Sequence, residues 1–331
     1  MKQRRRHPVT PLSRLYTPRE VKRTGDDSAA SSIRAYVWRM TGWHQVATCA
    51  IAVMVAALNL APIELQRRIV NEVVETQDIP LLVRFGLIYL AIIILHQAVK
   101  FGLRMYQVWL TESTNIYTRA HLLRLYGGQI EDDENAEGRV VSIVGSEVEK
   151  LGGFVGEALS QACANIALLL GVLVYMFVVE PQIALYALAF MVPQIVLTPL
   201  MQRKLNELVE ERVSYVRSLG DRVSNMEAPV SEDDPAILSK IYENRIMFNM
   251  LKFTLKAALN LTNALGPLSV LLFGGYLVMI GESQVGVIVA FISGFERISG
   301  PVRELVGFYR VTEQARVQHD MVAKWMSKVI D

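Results

Sequence analysis

Cysteine is almost missing from this chain: Cys49 and Cys163 are the only two in 331 residues. Both lie inside apolar runs and read as small core hydrophobes, so no disulfide framework and no redox compartment follows. Histidine is scarce too. His7, His44, His96, His121 and His319 are scattered and make no metal-ligand spacing. An excess of one charge sign is also lacking. The net charge of +2 gives no ground for a nucleic-acid partner. No G-x-x-x-x-G-K-S/T phosphate loop occurs. Gly127-Gly128 runs into acidic residues that would repel phosphate, and Gly152-Gly153 leads to Phe154, Gly156 and Glu157 with no lysine to reach one. The basic N-terminus is not followed by a short apolar core and a small-residue cleavage site, so no cleavable signal peptide is expected.

Long hydrophobic runs, by contrast, are abundant. Apolar residues make up 52% of the chain and charged residues 20%, with a mean hydropathy of +0.28. The two figures agree if the charge sits in long stretches outside lipid. The clearest run is a hairpin from Ile166 to Leu200, broken only at Glu180-Pro181-Gln182. Each arm is long enough to cross about 30 Å of hydrocarbon. Six such spans are expected, near Trp43–Pro62, Leu81–Lys100, Glu157–Val178, Gln182–Met201, Asn260–Ile280 and Gln284–Glu304. Gly281-Glu282-Ser283 makes a second tight turn, between the fifth and sixth. Residues 1–30, with Arg4-Arg5-Arg6 and three prolines, read as a mobile basic tail. Ser31-Ser32 can cap a helix over 31–43 whose Tyr36, Trp38 and Trp43 among Arg34 and Arg39 suit a membrane interface.

Lysine and arginine set the orientation. Of 34, ten precede the first span, six lie in 100–150, nine in 203–256 and six beyond 296; only Arg67, Arg68 and Arg84 fall on the other side. By the positive-inside rule both termini and both long connections are cytoplasmic, and the chain is a multi-pass inner-membrane protein. The stretch Leu81–Tyr126, as one helix, would run about 70 Å, more than twice the bilayer core. Two antiparallel helix pairs should therefore project into the cytoplasm. Their reversals fall near 127–138 (GGQIEDDENAEG) and within 222–241, around MEAPVSEDDP. Both carry helix breakers and acidic residues.

This layout resembles the six-span transmembrane domain of ATP-binding-cassette exporters. The stretch Val289–Leu305 is similar to that family's sixth helix, with Pro301 followed by a leucine four residues on; Gly138–Val148 is similar to the segment after its first coupling helix. The resemblance implies an all-α membrane protein of six long helices extending into the cytoplasm, preceded by an interfacial elbow helix, with the transmembrane domain over 44–328. It implies coupling tips that dock into ATP-binding domains, here Asp132, Asp133, Glu134 and Glu137 at the first and Glu232, Asp233 and Asp234 at the second. The chain carries no ATP-binding motif and stops at Asp331, where the family's linker to an ATPase domain would begin. The expectation is therefore a non-enzymatic subunit with no cofactor of its own. ATP and Mg would sit on a partner ATPase, with membrane lipid and a second transmembrane subunit (identical or homologous) as further partners.

Candidate pathway residues come from polar groups inside the spans. Glu296 and Arg297 lie about twelve residues from the outer end of the sixth, and a charge at that depth costs several kcal/mol unless it faces a partner or water. They line a substrate cavity or hold a structural ion network; Glu304 lies further inward on the same helix. His96, Gln97, Lys100 and Arg104 form a polar stripe. Its two basic residues either snorkel or, with Lys252 and Lys256, form a basic cavity mouth. Asn263 either bonds between helices or meets substrate. The rival readings are a catalytically silent membrane scaffold or regulatory subunit with this fold, and an ion-coupled secondary transporter. The second normally uses helices broken at mid-membrane and inverted repeats, neither of which the sequence shows.

Overall fold

A computed structural model describes residues 17–19, 21, 30–74, 76–127, 143–189, 192–224 and 234–330, and no strand occurs among them. The chain divides into two compact units: Met1–Leu65 with Asp78–Gly171 and Arg303–Asp331, and Gln66–Gln77 with Val172–Val302. Among the described residues, five helices are long and apolar enough to cross a membrane: Trp43–Val74, Ile79–Leu125, Gly145–Val179, Ala236–Met279 and Val285–Met326. The predicted fourth span, Gln182–Met201, runs across residues 190–191, which lie outside the described residues.

In the first unit, α1 (Ile33–Thr41) begins where Ser32 caps it, the hydroxyl accepting from the Ala35 N–H at 3.3 Å. It ends at Gly42, whose φ of 53° is inexpensive only for glycine. Helix α2 (Trp43–Arg68) starts at once and continues through a π-helical turn, Ile69–Val74. Helix α3 (Ile79–Gly127) has 49 residues, about 74 Å of helix. A π turn (Ile143–Glu147), α4 (Val148–Gly153), a second π turn (Phe154–Ala158) and α5 (Leu159–Val179) then follow one another without a break. Helix α3 packs against this run through glycines. A Cβ on Gly152 would meet Asn115, and one on Gly156 would stand 2.7 Å from the Gln107 carbonyl oxygen. The backbones approach because those side chains are absent, as in membrane helix pairs with small residues four apart. Buried Gln107 donates to Ser160 at 2.8 Å, and Arg104 pairs with Glu157. A core of Tyr36, Val37, Leu122, Leu151, Phe154 and Val322 ties α1 to α3, α4 and the end of the last helix.

In the second unit, Glu180 alone separates α5 from α6 (Pro181–Ala189), with Pro181 in the first helical position. Helix α7 (Val192–Ser224) lies along α8 (Asp234–Met279). Buried Asn244 donates to the Leu208 carbonyl at 3.0 Å and to Glu211 at 3.2 Å. Helix α8 ends in a Schellman closure: Glu282 N–H bonds the Leu277 carbonyl, Gly281 N–H bonds Val278, and Gly281 has φ 81°. Helix α9 (Val285–Ile330) follows. At its start the buried Asn71 accepts from Gly286 N–H at 2.6 Å and donates to Gln284 at 2.7 Å.

Candidate functional site

The first unit holds an open cleft of about 460 Å³ between two stretches, 150–165 and 304–318. Helical spacing explains its lining. Glu157, Gln161 and Asn165 fall four apart on one wall, and Arg310, Gln314 and Gln318 four apart on the other. Ala158, Ala162 and Ala315 lie beside these stripes, and the rings of Phe154 and Phe308 stack at 6.5 Å. Asn165 and Gln318 are only 8% and 4% exposed and line the cleft from its two walls. Two mouth charges are already matched, Glu157 by Arg104 and Lys150 by Glu147.

Among the predicted pathway residues, Glu304 lines this cleft. His96 and Lys100 stand on α3, half-buried and exposed. Their neighbour Arg104 engages Glu157 rather than pointing to the surface alone. The others belong to the second unit. There Asn263 accepts from the Ser299 hydroxyl at 2.6 Å, joining α8 to α9. Glu296 and Lys256 are exposed and Arg297 half-buried. The coupling residues Asp132, Asp133, Glu134, Glu137, Glu232 and Asp233 lie outside the described residues, and Asp234 is the first residue of α8. The four cleft amides went unremarked in the sequence. Their signal was the i,i+4 spacing of Gln161/Asn165 and Gln314/Gln318, which is visible only once the two helices are known to face each other.

Part of the predicted tail is anchored at this unit. Trp109 Nε1 donates to the Thr17 carbonyl at 3.0 Å, and Arg19 N–H to Ser113 Oγ at 3.1 Å. The Arg19 guanidinium donates to the Met40 carbonyl, one of the acceptors left open at the end of α1. Burial lowers the Arg19 pKa, and Tyr106 opposes that shift. On α1 itself, Tyr36 bonds Thr118 Oγ1 at 2.8 Å and meets the ring of His319 edge-on. Burial pushes its hydroxyl up to about 12, the Thr118 bond opposing and Tyr117 adding slightly.

Residues 46–226 match the family described as the ABC transporter transmembrane region. No curated protein matches the chain.

Proposed function

The chain belongs to the ABC transporter transmembrane family, and from that premise we propose that it is the membrane-spanning subunit of an ATP-driven transporter, coupled to a separate ATP-binding subunit. The observation that carries this reading is helix length. Helix α3 has 49 residues and α8 has 46, about 70 Å each; the bilayer core accounts for about 30 Å. A helix that overshoots on its charged side is a lever that reaches something there.

In this reading six spans cross the inner membrane, with both termini cytoplasmic. Helix α1 is the interfacial elbow. It buries Tyr36, Val37 and Met40 and turns Trp38 outward, and tryptophan favours the headgroup level. The acidic tips near Asp133 and Asp233 dock into the ATPase, whose ATP and Mg drive alternating access. Glu296 and Arg297 face the pathway. A second transmembrane subunit completes it, and the stalk supports that partner. Leu238, Tyr242, Ile246 and Met250 recur every four residues on α8, exposed by 53%, 67%, 44% and 62%. An apolar stripe of that size on a projecting, charged helix marks an interaction surface.

Purification in mild detergent from native membranes tests the assignment. A co-purifying chain that bears a phosphate-binding loop, with ATP hydrolysis in the complex, is the expected result. A preparation with no ATPase chain and no hydrolysis would instead make the protein a silent scaffold with the same fold. Glu296→Gln is expected to fold and to alter substrate-stimulated hydrolysis severalfold. Unchanged stimulation would remove Glu296 from the pathway.

A further inference from the structure

The two cysteines, far apart in the sequence, meet in the fold. We propose that Cys49 and Cys163 are a reversible disulfide site, a pair of thiols that an uncharged peroxide closes into a bond fastening α2 to α5. Cys49 lies in the second turn of α2 and Cys163 in the second turn of α5. Both are free and half-buried, and their thiols are within hydrogen-bonding reach of each other. The packing around them agrees. Ala164 packs on the cluster of Ala52, Val55 and Leu103, and a Cβ on Gly171 would stand 2.4 Å from Leu60 Cδ1. The three contacts advance together along both helices, so α2 and α5 run side by side in one direction within the first unit. Small residues at such a seam let backbones approach. At the close end of helix packing, axes about 8 Å apart bring facing Cα atoms within the roughly 4.4 to 6.8 Å that a disulfide spans.

Charge decides what the pair takes. A four-coordinate zinc needs two further ligands, and among the described residues no group of three or more His, Cys, Asp and Glu is placed to hold a metal. A monovalent soft ion on two thiolates would leave a net negative charge among apolar side chains, which is costly. A disulfide is neutral, as are the two thiols it comes from. Gln45 biases the first step. It is buried, and its side-chain N–H donates to Cys49 Sγ at 3.8 Å, which steadies the charge that gathers on that sulfur as it reacts. The Cys49 sulfur, its proton lost, attacks one peroxide oxygen. The O–O bond breaks, the sulfur becomes a sulfenic acid, and the departing hydroxide takes up the lost proton as water. The Cys163 sulfur then attacks Cys49. The S–O bond breaks, the Cys163 proton leaves with that oxygen as a second water, and the S–S bond forms. The two thiols have lost two electrons and the peroxide has gained them. A thiol reductant reopens the bond by exchange.

The full wild-type chain in its native membrane tests this, because its two cysteines can be counted. Membranes are reduced, freed of reductant and treated with hydrogen peroxide. They are then dissolved in sodium dodecyl sulfate and labelled with a maleimide polymer that shifts migration once per free thiol. The reduced chain should take two labels. Peroxide should lower the doubly labelled fraction severalfold in favour of unlabelled monomer, and dithiothreitol should restore both labels. A non-reduced digest should hold the Cys49 peptide joined to the Cys163 peptide. Two labels retained at a dose that consumes an added thiol peptide would overturn the proposal. So would a bond found only between two chains, or a loss of labels that dithiothreitol does not reverse. Labels that a chelator alone restores would overturn it too and make the pair a metal site. The count uses neither ATP nor an ATPase, so its outcome is independent of whether the transporter reading stands.

Discussion

Tyr36 shows how much one buried side chain reports about the attachment of α1. Its hydroxyl is inside the first unit, bonded to Thr118, and burial raises its pKa to about 12 from an unfolded value near 10. For an acid held neutral, the native state resists ionisation more than the unfolded chain does. The associated stability is fully present below pH 10 and is lost as pH rises from about 10 to about 12, at most about 3 kcal/mol. Thermal unfolding in detergent should therefore steepen over that window, and Tyr36→Phe should flatten it. An identical alkaline slope in the variant would place the ionising group elsewhere. Asn71 is a second such residue. From another helix it accepts from the Gly286 N–H in the first turn of α9 and donates to the Gln284 side-chain oxygen, so Asn71→Ala leaves both groups unmet. That should cost about 2 kcal/mol, read as a lower melting temperature.

Helices in this chain are joined by two kinds of device, and they differ in legibility. The turns are local. Ser32 as a cap, Pro181 after Glu180 and Gly281 at the end of α8 are each dictated by the chemistry of one residue, so the sequence alone locates them. Gly281→Val should cost about 1 to 2 kcal/mol, because a β-branched residue resists positive φ; unchanged melting would contradict the closure described. Five of the six expected apolar spans correspond to helices among the described residues and were legible for the same reason, since about 20 apolar residues need no partner to be recognised. Helix pairing was not legible. Gly152 and Gly156 form a small-xxx-small pair, but only the fold reveals that Thr111 and Gln107 lie against it. The π turn at Ile69–Val74 and the start of α8 at Asp234, well before Ile241, likewise depend on neighbours rather than on periodicity. Gly156→Leu should push α3 away and cost about 2 to 3 kcal/mol. A wild-type melting temperature in that variant would show that the close approach does not exist in the membrane.

At the scale of the whole molecule, the family match identifies the domain, and the helices supply reach. Membership in the ABC transporter transmembrane family and, among the described residues, five apolar helices long enough to span a membrane make this a multi-pass membrane protein. The proposal adds direction: acidic tips inward on an ATPase, tight turns outward and idle. Both ends can be tested in one experiment. A photo-crosslinking amino acid is placed singly at 133 and 233, and singly at 180 and 282, in the full chain in its native membrane. The account predicts adducts from 133 and 233 with a chain whose sequenced peptides include a phosphate-binding loop, and none from 180 or 282. Adducts with that chain from the outer turns, or none from either tip, would contradict it.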